Sequence, residues 1–418
     1  MAHTMMILVL SSLGLLIAKV GLSCALTPQP KPNFHRNHDQ QQWIRLPHVD
    51  AAHTQLGRRQ ILNGGAAAAS LFIPQQQASA KTPLSTNEQS RTVVSIDEHP
   101  AIPVWPTWAG GRVVPVSLTE YGRLSDPYLL LAHHKHWFDP RDPLRKPFQK
   151  FGQITGLPYI DVEGFSMHPH RGFDILTYIL DGSDGFRHRD SLGETTCTYR
   201  GGTAQWMRCG SGVLHEEFWE TKQDRRTDIE LFQIWINLPK TQKMDKPAIL
   251  YVGKDTDHSW LEEETEGGEV RVRDVGATLN KAINSDSNVK SRPTINIQHA
   301  TFQPGAKWKV HVPHKQSALL YVRRGIAAFP NTLSTITALQ TATFAADGDF
   351  IDVWNVSKQN DLDVLLLTGD PLQESIAMGG PIVMNTSKEI QDAYQQLSEG
   401  NFLDRDTVLQ QHALNRPK

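Results

Sequence analysis

The chain has 418 residues and a formal net charge of −2, and 39% of its residues are hydrophobic and 21% charged. This length is sufficient for two domains, each with a sizeable hydrophobic core. The charge is nearly balanced and no long basic run stands out. The composition therefore gives no sign of the concentrated basic face expected of a nucleic-acid-binding protein, and no nucleic-acid partner is predicted.

Residues 1–25 are predicted to be a signal peptide. The apolar stretch 5–20 has the length of a signal-peptide core and is followed by small residues at positions 23–25. This stretch is short for a membrane span and is interrupted by Lys19. We therefore expect a segment that is removed, and no membrane span in the mature protein.

Residues 26–80 are predicted to continue the targeting sequence. They begin with a polar region rich in Gln, His and Pro and poor in acids, as in transit segments. The pair Arg58-Arg59 then leads into an alanine-rich apolar stretch, which closes with small residues at 78–80. This series resembles the three-part presequences of thylakoid-lumen proteins and predicts a plastid location, in the thylakoid lumen. The alternative is a secreted protein with a low-complexity pro-segment.

The mature chain, from residue 81, is predicted to be all-β. Short apolar runs rich in β-branched and aromatic residues are separated by Gly, Pro and Asp, for example at 175–180, 229–238 and 318–322. Many such runs with turn signals between them are typical of sandwiches or barrels. The clearest helix is expected near the C-terminus, where Thr386 and Glu389 have capping-box spacing.

A domain boundary is expected in the polar stretch 240–276. This stretch contains the acidic run 262–264 and is interpreted as a solvated linker or surface loop. The prediction is therefore a first domain at 81–240, a second at 241–402 and a C-terminal tail at 403–418.

Two pairs of residues carry the chemistry. His168 and His170 are two positions apart, so on a strand both imidazoles leave the same face. His215 and Glu217 have the same spacing. Two facing strands would therefore converge three imidazoles and one carboxylate, a donor set without thiolate that suits Fe(II), Mn, Ni, Cu or Zn. One such pair alone is more often a set of surface or core residues, but two pairs together favour a metal site.

These motifs resemble those of the pirin family, within the cupins. The run His-Pro-His-Arg-Gly-Phe at 168–173 is similar to the first pirin motif, and Gly-x-Gly-Val-Leu-His-x-Glu at 210–217 is similar to the second. The likeness extends over most of the mature chain, from about 91 to 402. It implies two tandem cupin (jelly-roll-like) β-barrel domains with a short C-terminal helix. It also implies that His168, His170, His215 and Glu217 are iron ligands.

Some residues depart from the family pattern. Pirins commonly have Glu where this chain has Asp174, and this acid is expected to orient a ligand histidine as a hydrogen-bond acceptor. The segment 133–150 is longer than its pirin counterpart. Its histidines, His133, His134 and His136, are interpreted as solvated loop residues, with the lining of an entrance as the alternative.

Other candidates are given structural roles. His188 is expected to be structural or exposed. In the second domain, His311 and His314 have the wrong spacing for a shared strand face, so this barrel is expected to be metal-free. Cys197 and Cys209 show no disulfide or zinc-finger framework and are expected to be free thiols rather than a disulfide.

By resemblance, the expected activity is that of a quercetin 2,3-dioxygenase, a non-haem iron enzyme acting on a flavonol-like or other enolisable phenol. The partners would be this small molecule and O₂. Glu217, or a neighbouring acid, is expected to accept the proton of the substrate's ionisable hydroxyl group. The alternative is a non-catalytic, iron-dependent redox-sensing or regulatory binding protein. A scaffold that has lost its chemistry is disfavoured by the intact ligand set.

Overall fold

The computed structural model describes residues 88–103, 110–143, 164–192, 197–265, 268–285, 294–332 and 334–403, with single positions 147, 150 and 154 in the interval before 164. The predicted targeting segments, residues 1–80, and nearly all of the predicted C-terminal tail lie outside the described residues. Among the residues that are described, no helix combines the length and apolar character needed to cross a membrane.

The first half of the described chain contains twelve strands and one 3-10 helix, Leu118–Leu124. The strands are β1 (Val93–Glu98), β2 (Ile102–Pro103), β3 (Arg112–Ser117), β4 (Tyr128–Phe138), β5 (Gly164–His170), β6 (Phe173–Ile179), β7 (Phe186–Asp190), β8 (Cys197–Tyr199), β9 (Thr203–Arg208), β10 (Val213–Trp219), β11 (Thr227–Asn237) and β12 (Ala248–Gly253).

The second half adds twelve strands and two α-helices, α1 (Val275–Ser285) and α2 (Ser387–Glu399). The strands are β13 (Leu261–Glu264), β14 (Val270–Asp274), β15 (Ile295–Phe302), β16 (Lys307–His311), β17 (Ser317–Arg324), β18 (Ile326–Phe329), β19 (Ser334–Thr337), β20 (Gln340–Phe344), β21 (Phe350–Asn355), β22 (Leu362–Gly369), β23 (Ala377–Gly379) and β24 (Ile382–Met384).

These strands form two similar barrels. The first combines a seven-stranded sheet, in the order β12-β9-β6-β11-β4-β3-β2, with a four-stranded sheet, β5-β10-β7-β8. The second combines the seven strands β1-β20-β17-β22-β15-β14-β13 with the four strands β16-β21-β18-β19. The predicted all-β architecture of two barrels with a short C-terminal helix is therefore confirmed.

The sheets divide the chain at a different place from the predicted boundary between residues 240 and 241. Strand β1, from the start of the mature chain, pairs with β20 in the second barrel. Strand β12, which follows the predicted boundary, pairs with β9 in the first barrel. The acidic run 262–264 is exposed, as expected, but it lies in the edge strand β13 rather than in a loop. Each barrel thus takes a strand from the far side of the predicted boundary.

The large sheets are buried on both faces. In β6, Leu176 and Tyr178 belong to a core shared by the two barrels, whereas Phe173 and Ile175 belong to the interior of the first barrel. This double burial explains why all seven residues of β6 are buried and why its sequence shows no regular alternation of apolar and polar residues. By contrast, β10 alternates buried and partly exposed residues, because only one of its faces lies inside the barrel.

The C-terminal segment returns to the first barrel. Helix α2 begins with the predicted capping box, in which Thr386 and Glu389 bond each other's backbone N–H groups, and it ends at Gly400 in a left-handed conformation. Strand β24 forms a bridge between Ile382 and Arg171 of the first barrel. This return brings the end of the chain beside the motif at 168–173.

Candidate metal centre

The pairing of β5 with β10 builds the site. In this antiparallel pair, His168 lies directly opposite His215. The side chains of His168, His170 and His215 converge, so that one ring nitrogen from each lies within 4.8 Å of the other two. Their ring centroids are 4.3–4.9 Å apart. The structure thus brings together the three histidines that the strand spacing selected.

The other ring nitrogens of two of these histidines are held by the protein. Nδ1 of His170 donates to the carbonyl oxygen of Pro381 at 3.1 Å, because a carbonyl can only accept. Nδ1 of His215 lies 3.0 Å from Nε2 of His188. In the described part of the chain, the buried Nε2 of His215 has no hydrogen-bond partner. A buried imidazole nitrogen without a partner, turned toward two further imidazoles, fits a metal ligand.

The prediction that His188 is structural or exposed was only partly right, because this residue is fully buried and contacts a candidate ligand. Its Nδ1 lies 3.5 Å from the carboxylate of Asp190. A proton on Nδ1 of His188, the nitrogen that faces the Asp190 carboxylate, would make Nε2 of His188 the acceptor for the Nδ1 proton of His215. The sequence could have indicated that His188 and Asp190, two residues apart, share a strand face, but not that His188 contacts His215.

Burial sets the charge state of the candidate ligands. The pKa values of His170 and His215 are held well below the usual value, first by loss of hydration and then by the neighbouring His168 ring. At neutral pH these imidazoles are therefore uncharged, which is the form that binds a metal ion.

Glu217 lies on the same face of β10 as His215 and is also buried. Gln233 donates a hydrogen bond to Oε2 of Glu217 at 3.3 Å, while Oε1 has no partner among the described residues. Burial raises the pKa of Glu217 to about 7. The pairing register shifts between His215 and Glu217, and the carboxylate is not part of the group of ligand atoms within 4.8 Å of one another. Its role as fourth ligand stays a prediction.

Asp174 has partners other than the candidate ligands His170 and His215. It is fully buried, its Oδ2 accepts a hydrogen bond from the Trp206 indole at 2.9 Å, and Arg208 lies 3.6 Å away. This carboxylate therefore connects β6 to β9. The hydrogen-bond partners of His170 and His215 are the Pro381 carbonyl and His188, so Asp174 is not the partner of either, and its expected role as the acceptor for a ligand histidine stays a prediction.

The prediction that His133, His134 and His136 are solvated loop residues was wrong. All three are buried in β4, which continues to Phe138 and pairs with β11 along its whole length. His133 faces the second barrel and bonds Tyr321 of that barrel and Glu230 of the neighbouring strand β11. His134 and His136 point to the other side, into the first barrel. The strand pairing outweighs the polar composition that favoured a loop.

Aromatic side chains lie beside two of the three histidines. The ring centroid of Trp235 lies 5.7 Å from that of His170, and the ring centroid of Phe165 lies 6.5 Å from that of His168. Cys197 and Cys209 are buried and are not joined by a disulfide, in agreement with the sequence. The donor set therefore consists of imidazoles with a carboxylate nearby, and among the described residues no thiolate belongs to it.

Comparison with known proteins gives concordant results. Residues 134–236 match the family model for pirin, and residues 297–403 match that for the pirin C-terminal cupin domain. The chain is 34% identical to Pirin-1 of Arabidopsis thaliana, over 57% of this chain and 78% of that protein. It is 32% identical to a pirin-like protein of Caulobacter vibrioides, over 70% and 94%. Its fold resembles that of quercetin 2,3-dioxygenase from Acinetobacter baumannii, with a TM-score of 0.59, 24% identity and coverage of 75% and 99%.

Proposed function

Because this chain belongs to the pirin family, we propose that it is a metal-dependent dioxygenase that cleaves a flavonol-like or other enolisable phenol with O₂. The observation that carries the proposal is the convergence of the imidazoles of His168, His170 and His215, with the buried carboxylate of Glu217 on the same strand face as His215. A solved protein of the same fold is named a quercetin 2,3-dioxygenase, which supports this substrate class.

Fe(II) is the metal proposed for this site, with Mn, Ni, Cu or Zn as alternatives that the same donors accept. His168, His170 and His215 would hold the ion through their converging nitrogens. When bound, Fe(II) supplies Lewis acidity and redox chemistry with O₂. The aromatic rings of Phe165 and Trp235 are apolar neighbours of His168 and His170.

The protein supplies the proton acceptor. The ionisable hydroxyl group of the substrate gives its proton to Oε1 of Glu217, which leaves the enolate. A carboxylate whose pKa lies near neutrality accepts and returns a proton readily, because neither form is strongly favoured. Gln233 holds Oε2 by its hydrogen bond, and the buried Oε1 has no partner among the described residues.

A second candidate is an iron-dependent redox-sensing or regulatory protein, and the link between the site and the C-terminal segment favours it. His170 bonds the carbonyl of Pro381, and the adjacent Arg171 bonds Gln396 and the carbonyl of Phe402. A change in the oxidation state of the metal would therefore be transmitted through these hydrogen bonds to helix α2, at the surface of the protein. Consumption of O₂ with a phenol separates the enzyme from this alternative.

The plastid location is part of the proposal and rests on the sequence of residues 1–80. Its test is a fusion of these residues to a fluorescent protein, expressed in algal cells. Accumulation in the thylakoid lumen supports the proposal, whereas export from the cell supports the secreted alternative.

The decisive experiment measures metal content and oxygen uptake together. We expect about one iron per chain in the purified protein and loss of iron in a variant with His168→Ala and His215→Ala. His311→Ala, at an exposed position in the second barrel, is the control and retains the metal. Oxygen uptake with quercetin is then expected in the parent protein and the control only. No transition metal in the parent protein, even after reconstitution, would overturn the metal-centre proposal.

Glu217→Gln separates the two predicted roles of this residue. If Glu217 is only the proton acceptor, the variant keeps its metal and loses turnover by about 10²–10⁴-fold. If Glu217 is also a ligand, the metal affinity falls as well. Chelator competition measures the affinity.

A further inference from the structure

Two histidines of β4 form a hydrogen-bonded pair inside the first barrel. Nδ1 of His134 lies 3.0 Å from Nε2 of His136, and Nδ1 of His136 lies 3.1 Å from the carbonyl oxygen of Gly110. The two rings are stacked, with centroids 5.2 Å apart. His136 also stacks on Trp219, at 4.4 Å between centroids.

This chain of hydrogen bonds fixes the position of both protons. The Gly110 carbonyl can only accept, so Nδ1 of His136 carries its proton. Burial holds the pKa of His136 at about 4 and that of His134 well below its usual value, so both rings are neutral. Nε2 of His136 is then an acceptor, and Nδ1 of His134 donates to it. Nε2 of His134 is left with a lone pair and, among the described residues, with no partner.

The location of His134 connects it to the proposed active site. In the pairing of β4 with β11, His134 is opposite Leu231, and two residues along the same face Ala132 is opposite Gln233. Gln233 is the side chain that bonds Glu217. The ring centroid of Phe165 lies 6.3 Å from that of His134 and 6.5 Å from that of His168. Phe165 is therefore a neighbour of both His134 and a candidate metal ligand.

We propose that Nε2 of His134 is a hydrogen-bond-accepting subsite for a second hydroxyl group of the phenolic substrate, remote from the hydroxyl that reacts. This subsite rests on the proposed function, since the metal-binding histidines place the reacting end of the substrate. It makes His134 a specificity-determining residue. The substrate class is thereby narrowed to flat polyphenols with two separated hydroxyl groups.

The surroundings of His134 define what this subsite accepts. The neighbouring rings of Phe165 and His136 are uncharged, and His134 retains an exposed fraction of only 7%. A lone pair in such a place attracts a neutral O–H donor and repels an anion. A methyl ether or a hydrogen in place of the hydroxyl group would leave Nε2 without a partner and reduce the affinity.

The test measures the affinities of three ligands for the parent protein and for variants of His134. The method is calorimetric titration of the Fe(II)-loaded protein in the absence of oxygen. The probes are quercetin, galangin, which lacks the hydroxyls of the pendant ring, and 3,3′,4′-trihydroxyflavone, which lacks those of the fused ring. We expect the parent protein to prefer quercetin over one of the two analogues by about 2- to 10-fold, the contribution of one hydrogen bond. His134→Phe should abolish this preference and leave the iron content unchanged.

His134→Gln is the conservative variant, because its amide oxygen can accept a hydrogen bond near the position of Nε2, and it should retain part of the preference. An equal preference in the parent protein and in His134→Phe would overturn the subsite and leave the proposed function intact. Failure of the parent protein to bind any of the three flavonols would overturn the proposed substrate class and, with it, the subsite. In the metal-free protein, ¹⁵N NMR should show a proton on Nδ1 of His134, and a proton on Nε2 would overturn the proposal independently of any ligand.

Discussion

Nε2 of His188 lies 3.0 Å from Nδ1 of His215, which ties a candidate metal ligand to a buried histidine on the next strand. Asp190 faces the other ring nitrogen of His188 at 3.5 Å. With its proton on the Nδ1 that faces Asp190, His188 would accept from Nδ1 of His215, which leaves an unprotonated Nε2 on His215. This is the tautomer of His215 that binds metal through Nε2.

Replacement of His188 by Phe should lower the metal affinity by about 10- to 100-fold, the usual effect of losing a partner that orients a ligand. The measurement is chelator competition at neutral pH. Arg187→Gln is the matched control, since Arg187 is the exposed neighbour on the opposite face of β7. An unchanged affinity in His188→Phe would show that His188 does not orient His215.

Substitution by Ala should destabilise the protein to different extents at two glycines that have the same backbone conformation. Gly172 has φ +86° and Gly182 has φ +82°, so both substitutions strain the backbone by roughly 1–2 kcal/mol. A Cβ at Gly172 would also overlap the carbonyl oxygen of Val383, whereas a Cβ at Gly182 would have no heavy atom within 4 Å. We expect Gly172→Ala to destabilise the protein by several kcal/mol more than Gly182→Ala.

Urea unfolding measures this difference, and limited proteolysis shows where the structure opens. The C-terminal segment should become susceptible in Gly172→Ala, because β24 docks on the first barrel at this glycine. An equal loss of stability in the two variants would mean that the C-terminal segment moves away from the new Cβ atom without loss of folding free energy.

Burial of His136 predicts a loss of stability in acid. Its pKa is lowered to about 4 by burial, whereas the unfolded chain retains the ordinary value of 6.5. Between these values the unfolded state binds more protons, so the free energy of unfolding falls as the pH falls from 6.5 to 4. The contribution of this group is roughly 3 kcal/mol, fully present above pH 6.5 and lost at pH 4.

His136→Phe keeps a ring that can stack on Trp219 and should flatten this dependence. Urea unfolding from pH 7 to pH 4 on chelator-treated protein provides the measurement, since removal of the metal prevents its release from contributing. The control is His311→Gln, at an exposed position in β16. A pH dependence as steep in His136→Phe as in the parent protein would contradict the assignment.

The parts of the fold and site that the sequence predicted are those that depend on local rules. The two-residue spacing of His168 with His170 predicts a shared strand face regardless of what else the strand pairs with. The role of His188 depends on the register between β7 and β10, which no local pattern encodes. The loop interpretation of His134 failed for the same reason, because pairing of β4 with β11 extends the strand through a polar sequence. The pairing of β1 with β20, which places the start of the described chain in the second barrel, is likewise non-local.

The two barrels are joined by a buried ionic cluster that depends on Arg323. Its guanidinium group donates to both carboxylate oxygens of Glu230, at 2.8 and 3.0 Å, and to Asp363 at 2.5 Å. Burial alone would raise the pKa values of these acids. The hydrogen bonds from His133 and Arg323 outweigh burial at Glu230, and His299 with Arg323 outweighs it at Asp363, so both pKa values are lowered.

Arg323→Met removes the shared cation and leaves two carboxylates in a buried site, which should cost about 3–5 kcal/mol of folding free energy. Thermal unfolding gives the measurement. Arg324→Met is the matched control, because Arg324 is the exposed next residue of β17 and its own acidic neighbour, Asp361, is also exposed. The pKa of Glu230 should rise in Arg323→Met, so part of the lost stability should return at lower pH as this carboxylate takes up a proton. A loss of the same size in both variants would mean that Arg323 acts only through its surface charge.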